Sequence, residues 1–572
     1  MASIVKLKTV SMTTWVFLLL MLPVLPSTSG LKYEFLAQMD APRAKLDHFW
    51  ESTGFCPTFP HQNSSDYFLG ESQLQNLILI GSVPQNGIKQ VRIHWLLDLV
   101  KLSEDDRKEN LRWDFSLLDR LIDRLWMNNL RPGFELMGNP SGWFTDFEDP
   151  GQVMAWRDLV TELAQRYIDK YGLDYVSKWN FESWNEPDHK DFDNLTFTLQ
   201  GFLNYYDACS EGLLTASPRL RLGGPGASCR SDTFSVICWG LLQHCDNGSN
   251  YFTRETGVRI DFISFHKKGK GHSLYILDLE IPTILEIRQR YPRLANVPIY
   301  NDEGDPLVGW SKPQEWRADA TYAAVVVKII AQHQDLLIVP NPHYRYELLS
   351  NDNGFLNFNP NFFSQRTLVA RFQMNKTHPP SLQTVKKPVL SAMGLLALMG
   401  DMQVQVFEGS GREVQNNNSD VGILASVHQP STNGGQDSWQ ASIILYNSND
   451  TSSLTGMDSV RVTVSQLPTQ EDLKYVVYVV SNTHGNPYAV WKSFNKPVYP
   501  TQEQFSEMRK QQEPIRIDGP SSVAGPEVTF DLNLSKPGVM LIQLCSKPAE
   551  RPPQVKNLRL HPVTPYDVLL SW

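Results

Sequence analysis

From about residue 45 to 397, short apolar runs alternate with longer stretches in which apolar residues recur every three or four positions. The clearest amphipathic helix runs from Val153 to Ile168, with Val153, Trp156, Val160, Leu163, Ala164 and Tyr167 on one face. A second is predicted over Asp114 to Leu125, led by an Asp N-cap and turning Leu118, Leu121, Ile122 and Leu125 inward. Between such helices lie the candidate strands Phe49 to Gly54, Lys89 to Trp95, Pro132 to Leu136, Ser177 to Trp184, Leu220 to Gly223, Ile260 to Phe265, Val297 to Asn301 and Tyr344 to Leu349. Eight strands alternating with helices over about 350 residues predict a TIM barrel, (β/α)₈, with insertions. A doubly wound open sheet is the competing arrangement, and no G-x-G-x-x-G turn opens a helix to favour it.

Past residue 398 the helical period disappears. Val421 to Val427, Trp439 to Tyr446, Val460 to Val464, Tyr475 to Val480, Val528 to Leu532 and Val539 to Leu544 are β-branched runs divided by Gly, Pro, Asn and Ser. They predict an all-β sandwich over residues 398–548, which the segment 31–44 is expected to join. Residues 549–572 read as the opening strands of a fibronectin type III-like domain, incomplete because two strands cannot close a sandwich.

The N-terminus has a separate pattern. Lys6 and Lys8 precede an apolar run from Trp15 to Leu25 and then Ser27, Thr28, Ser29 and Gly30, so residues 1–30 read as a cleaved signal peptide. No other segment has the ~20 uninterrupted apolar residues of a membrane span, and no membrane insertion is expected. Sequons at Asn63, Asn194, Asn247, Asn375, Asn417, Asn449 and Asn533 suit a secretory route. The six cysteines Cys56, Cys209, Cys229, Cys238, Cys245 and Cys545 are few for 572 residues, so no disulfide framework is expected. None has zinc-site spacing, and neither metal nor cofactor is expected. A net charge of −9 argues against a nucleic-acid partner, while leaving room for a local basic pocket and a polyanionic substrate.

Chemistry concentrates in two places. Trp179-Asn180-Phe181-Glu182-Ser183-Trp184-Asn185-Glu186-Pro187 ends the fourth predicted strand, and the proline forces the break into a loop just after Glu186. Strand alternation assigns Asn180, Glu182 and Trp184 to one face and Phe181, Ser183 and Asn185 to the other. Pro298-Ile299-Tyr300-Asn301-Asp302-Glu303 ends the seventh strand in acids; Asp302 is expected to alternate away and Asp305 lies in a turn, so Glu303 ranks first. Strand C-termini form the working face of a barrel, where two such glutamates can approach to the ~5–5.5 Å of a retaining glycosidase. Glu303 is then expected to be an ionised nucleophile and Glu186 an acid/base with a raised pKa. A carboxylate that merely caps a helix is the bland alternative for Glu186, and the second acid motif weighs against it.

These strings, with STGFCP, VRIHWLLDLV, PGFELMG, NYYDACSEGL, LGGPG, IYNDEGDPLVGW and LLSNDNGF, resemble glycoside hydrolase family 39 from about residue 45 onward, and within it the members that cleave iduronides. The resemblance implies a lysosomal retaining exoglycosidase acting on terminal α-L-iduronic acid in dermatan sulfate and heparan sulfate, delivered by a targeting receptor that reads its glycans. It implies Glu186 as acid/base and Glu303 as nucleophile. It implies substrate contacts from Pro57, Phe59, His61, Arg92, His94, Asn185, His266, Lys268, Gly309, Trp310, Asp352 and Arg366, and a partner for Cys545 beyond residue 572. Thr58-Phe59 departs from the family's Pro-Leu. Lys268 and Arg366 make sense as the grip on a uronate carboxylate. For His94 and His266 a satisfied core histidine is an equal reading, Arg92 has the alternative of holding a strand end, and Trp310 of packing. A retaining β-xylosidase or other β-glycosidase on the same scaffold, or a catalytically silent glycan binder, are the competing functions.

Overall fold

A computed structural model describes residues 33–55, 63–103, 111–189, 195, 197–376, 378, 380–431, 435, 437–469, 472–551, 553–556, 558–564 and 567–571. The signal-peptide reading, Cys56, Pro57, Phe59, His61 and Asn194 lie outside these residues. Strand β1 (Tyr33–Lys45) comes first, followed by eight parallel strands paired in chain order: β2 (Ser52–Phe55), β3 (Gln90–Ile93), β4 (Arg131–Glu135), β5 (Asn180–Glu182), β6 (Arg221–Ala227), β7 (Phe262–Phe265), β8 (Ile299–Asn301) and β9 (Tyr346–Leu349). The ring closes where Leu349 N donates to Phe49 O at 2.8 Å and Ser350 bridges Ser52. Each strand overlaps one of the eight runs read from the sequence, with ends displaced by up to four residues.

The helices follow the same patterns. Helix α1 (Ser116–Met127) buries Leu118, Leu121, Ile122 and Leu125. Its N-cap is Phe115, not Asp114; the Asp114 carboxylate instead accepts from the Ser116 amide at 2.9 Å, one residue outside the expected geometry. Helix α2 (Pro150–Tyr171) starts earlier than its apolar stripe, because Asp149 caps it by accepting from Gln152 N at 3.0 Å and Pro150 fits the first turn.

The second unit is one nine-stranded sheet wrapped over its own core. Its strands are β1 with β10 (Met402–Glu408), β11 (Val421–His428), β12 (Gln440–Asn447), β13 (Gly456–Ser465), β14 (Leu473–Ser481), β15 (Ile515–Ser522), β16 (Glu527–Lys536) and β17 (Gly538–Ser546), in the order β15-β14-β17-β12-β11-β10-β1-β13-β16. β1 runs antiparallel to β10 and parallel to β13, so the chain start bridges strands far apart in sequence. Phe35, Val404, Ile443, Val462, Phe530 and Ile542 share the enclosed core. Leu424, Ile444, Tyr446, Val480, Val539 and Leu541 point the other way and merge with the barrel core.

Helix α3 (Ala320–Gln332) lies at that junction and is buried along its whole length, as a helix apolar on all sides must be. Its one cation, Lys328, is paired with Asp450 of the sandwich at 3.1 Å. A hairpin, β18 (Arg559–Thr564) and β19 (Asp567–Ser571), follows the sandwich. Cys229 and Cys238 form a disulfide; Cys209 and Cys245 are free and buried, and Cys545 is free and exposed. Asn63, Asn247, Asn375, Asn417 and Asn533 are exposed and Asn449 is half-buried. Among the described residues no helix is long and apolar enough to cross a membrane.

Candidate active site

Both acid-bearing strands stop short of their acids, β5 at Glu182 and β8 at Asn301. Glu186 sits in the left-handed region at φ +40°, its amide donating to Gly226 O on the neighbouring strand at 2.8 Å. A non-glycine residue there costs on the order of 1–3 kcal/mol, a strain found where a side chain must be aimed. Early strand ends also overturn two alternation arguments. Asn185 turns inward to Arg92 with Glu182, while Trp184 packs against Phe197 and Tyr205. Asp302 does not point away from Glu303; both carboxylates reach Arg92.

Arg92 is the hub of the barrel mouth. Only 1% exposed, it donates from Nε to Glu182 Oε2 at 2.7 Å and from its terminal nitrogens to Glu303 Oε1 at 3.0 Å and Asn185 Oδ1 at 3.1 Å. It also pairs with Glu135 at 2.8 Å and Asp302 at 3.2 Å. Room for this fork comes partly from Gly226 (φ +59°), where a Cβ would stand 2.7 Å from Glu182 Oε1. So many buried acids around one guanidinium cannot all ionise. Glu182 favours its neutral form: burial pushes its pKa well up, and the nearby Asp302 charge adds to this against the pull of Arg92. His94 Nδ1 lies 2.7 Å from Glu135 and its Nε2 3.6 Å from Glu303 Oε1, so it both satisfies a core acid and faces the site.

Glu186 and Glu303 meet beneath His266 and Lys268. One carboxylate oxygen of each glutamate and a ring nitrogen of His266 lie within 4.8 Å of one another. His266 Nδ1 is 2.7 Å from Glu186 Oε1, and Lys268 Nζ donates to Glu303 Oε2. For Glu303, burial works against ionisation, but His266, Lys268 and Arg92 outweigh it and hold the acid well below the usual range, as a nucleophile requires. Glu186 differs from its expected raised pKa. Burial pushes it up, yet the His266 hydrogen bond and Lys268 charge bring it down to about 2. The proton resides on His266 instead: burial lowers that imidazole, but Glu303, Asp302 and Glu186 raise it to about 10. Protonated, His266 is the hydrogen-bond donor of this trio, facing the carboxylate of Glu186.

A third group sits at the ends of β8 and β9. Arg366 donates to Asp352 Oδ2 at 2.8 Å, while its Nε and a terminal nitrogen are buried without a hydrogen-bond partner. Its guanidinium lies over the Phe355 ring, on which Trp310 stacks at 4.7 Å. Gly309 takes φ +78° in the same loop. Asp305 is fully buried and accepts from Tyr322 OH at 2.6 Å, which takes it out of contention as a nucleophile by access alone. Sequence reasoning missed Glu135 and gave Glu182 no role. The signal was present: a glutamate inside an otherwise apolar barrel strand has to be paired or neutral.

Two glutamates with carboxylate oxygens within 4.8 Å of each other and a proton donor, His266, beside them, on the C-terminal face of a (β/α)₈ barrel, are the equipment of a glycoside hydrolase. Sequence comparison narrows the class: the sequence model of glycosyl hydrolases family 39 matches residues 35–526, and the chain belongs to that family. It is 50% identical over 545 residues to the alpha-L-iduronidase of Canis lupus familiaris, covering 94% of this chain and 82% of the relative. The Homo sapiens alpha-L-iduronidase is 49% identical over 551 residues, 96% of this chain and 84% of that one. A solved structure described as the bacterial orthologue of human α-L-iduronidase superimposes with a TM-score of 0.82 at 32% identity, covering 92% of this chain and 86% of its own.

Proposed function

We propose that the chain is a retaining exoglycosidase that hydrolyses non-reducing terminal α-L-iduronic acid linkages in dermatan sulfate and heparan sulfate. The observation that carries this reading is Arg366, buried with two nitrogens unpartnered, near enough to Lys268 for each to feel the other's charge and beside the glutamate pair. The guanidinium's charge is shared with Asp352 and Asp305, but its two open donors can be met by an anionic sugar and are left unmet by a neutral xyloside. Asn185, whose Nδ2 is also buried and unpartnered, is assigned the sugar hydroxyl next to the reacting carbon.

Glu303 attacks the anomeric carbon as the glycosidic C–O bond breaks, and Glu186 gives the leaving oxygen its proton. Water then adds to the same carbon, losing a proton to Glu186 and freeing Glu303. Glu186 acquires its first proton from His266 along their 2.7 Å contact, once the bound sugar has excluded water and made a charged carboxylate costly. Arg92 and His94 keep Glu303 aimed, and His266, Lys268, Gly309, Trp310, Asp352 and Arg366 form the sugar's binding wall. Exposed sequons and the signal-peptide-like N-terminal sequence support lysosomal delivery through a glycan-reading receptor. The bacterial orthologue is described as catalytically competent without N-glycans, which fits glycans that serve routing rather than chemistry.

The test compares kcat/KM for an α-L-iduronide and for the matching α-L-idopyranoside, which carries CH₂OH in place of the carboxylate. Losing a charge-assisted bond to a buried partner costs ~2–5 kcal/mol, so the neutral sugar is expected to be about thirtyfold to several thousandfold poorer. Equal cleavage of the two would put a xylosidase-like activity ahead.

A further inference from the structure

Arg317 belongs to no motif and touches neither glutamate, yet it is fully buried in the 3₁₀ turn Glu315–Arg317. One terminal nitrogen donates to Gly309 O at 2.8 Å and Lys312 O at 3.0 Å. The other donates to Leu307 O at 2.7 Å and Val308 O at 3.4 Å. Four carbonyls of one loop thus converge on a single planar fork, an arrangement a lysine ammonium cannot reproduce. Its charge is answered by Asp305 at 3.7 Å, whose other oxygen accepts from Tyr322 and lies 4.0 Å from Arg366 Nε.

Backbone bonds extend this unit to the rest of the binding wall. Gly269 N donates to Asp305 O at 2.9 Å and Gly271 N to Pro306 O at 3.0 Å, tying the Lys268 loop to it. Arg366 N donates to Trp310 O at 3.0 Å. Glu186, by contrast, hangs from β5 and β6 and makes none of these contacts.

We propose that Arg317 is the positioning residue of the uronate carboxylate subsite: it fixes the backbone from Leu307 to Lys312 in the shape that sets Gly309, Trp310, Lys268 and Arg366 around the carboxylate. This rests on the uronide reading above. Without the fork, four carbonyls of the loop lose a shared donor and the loop relaxes, while Glu186 keeps its bond to Gly226 O and Glu303 its bond to Arg92.

Arg317→Lys, Arg317→Ala and Tyr322→Phe are assayed with the iduronide and the neutral idopyranoside. Arg317→Lys is expected to raise the iduronide KM on the order of tenfold, with kcat within about threefold and the neutral sugar's KM unchanged. Free guanidinium is expected to restore part of the loss in Arg317→Ala. Tyr322→Phe removes one hydroxyl at constant volume, and is expected to give the same split at about threefold even where the arginine variants fail to fold. An unchanged iduronide KM in Arg317→Lys or Tyr322→Phe, or a parallel loss on both sugars, overturns the proposal. Wild-type enzyme without a preference for the acid sinks the uronide reading itself, a result distinguishable from either.

Discussion

Arg92 stands among Glu135, Glu182, Asp302 and Glu303, and the barrel mouth works because protons and cations are distributed unequally among these acids. Glu303 is left charged and Glu182 favours its neutral form. Glu303→Gln is expected to fold and to lose turnover by several orders of magnitude, read as kcat on a natural linkage. Asp352 gives a pH signature. Burial and Glu303 push it up to about 7 against the pull of Arg366, so folding favours its protonated form. That contribution is complete below its ordinary 3.8 and lost as pH rises through about 7. Glu186 acts in the opposite sense, contributing above its ordinary 4.5 and losing this as pH falls through about 2. His266 contributes fully below 6.5 and loses its share only towards about 10. The ligand-free protein is therefore expected to be most stable near about pH 4–5. Thermal midpoints of wild type and Asp352→Asn across pH 3–8 check this (a range set by about those pKa limits): the variant should lose the decline between pH 4 and 7, and an identical decline would contradict the assignment.

At the scale of elements, β1 is the most consequential strand that regular patterning hides. It supplies the partner for β10 on one side and β13 on the other, with Phe35 in the sandwich core. Phe35→Ala is expected to cost about 3–5 kcal/mol, measurable as a lower denaturation midpoint, with kcat unchanged in the folded fraction. The eight barrel strands were legible as short runs recurring between amphipathic helices. β10 and β15 were not: Met402–Glu408 alternates Gln with Val, and Ile515–Ser522 carries Arg516, Asp518, Gly519 and Pro520 on an edge with little to bury. The site's two glutamates were legible as strand-end acids. Which neighbours face them was not, because strand alternation stops where β5 and β8 stop, and the proton's place on His266 depends on distances that no spacing encodes.

In the whole molecule, barrel and sandwich share one core across α3. Leu541 and Val480 of the sandwich pack into the barrel's cluster, and Lys328 answers Asp450 across the junction. Leu541→Asp places an unpaired charge there, and is expected to lower the unfolding midpoint of both units together, followed by tryptophan fluorescence and activity in parallel. Separate transitions would mean that the units are independent. The central claim, however, is that Glu303 forms a covalent bond to the sugar while Glu186 handles the proton. Incubation with a 2-fluoro α-L-iduronide bearing an activated leaving group, followed by mass spectrometry of the peptic peptides, tests it directly. The account predicts one sugar per chain, attached at Glu303 in the wild type and still formed in Glu186→Gln; a label on any other residue, or none under conditions where the substrate is turned over, would contradict it.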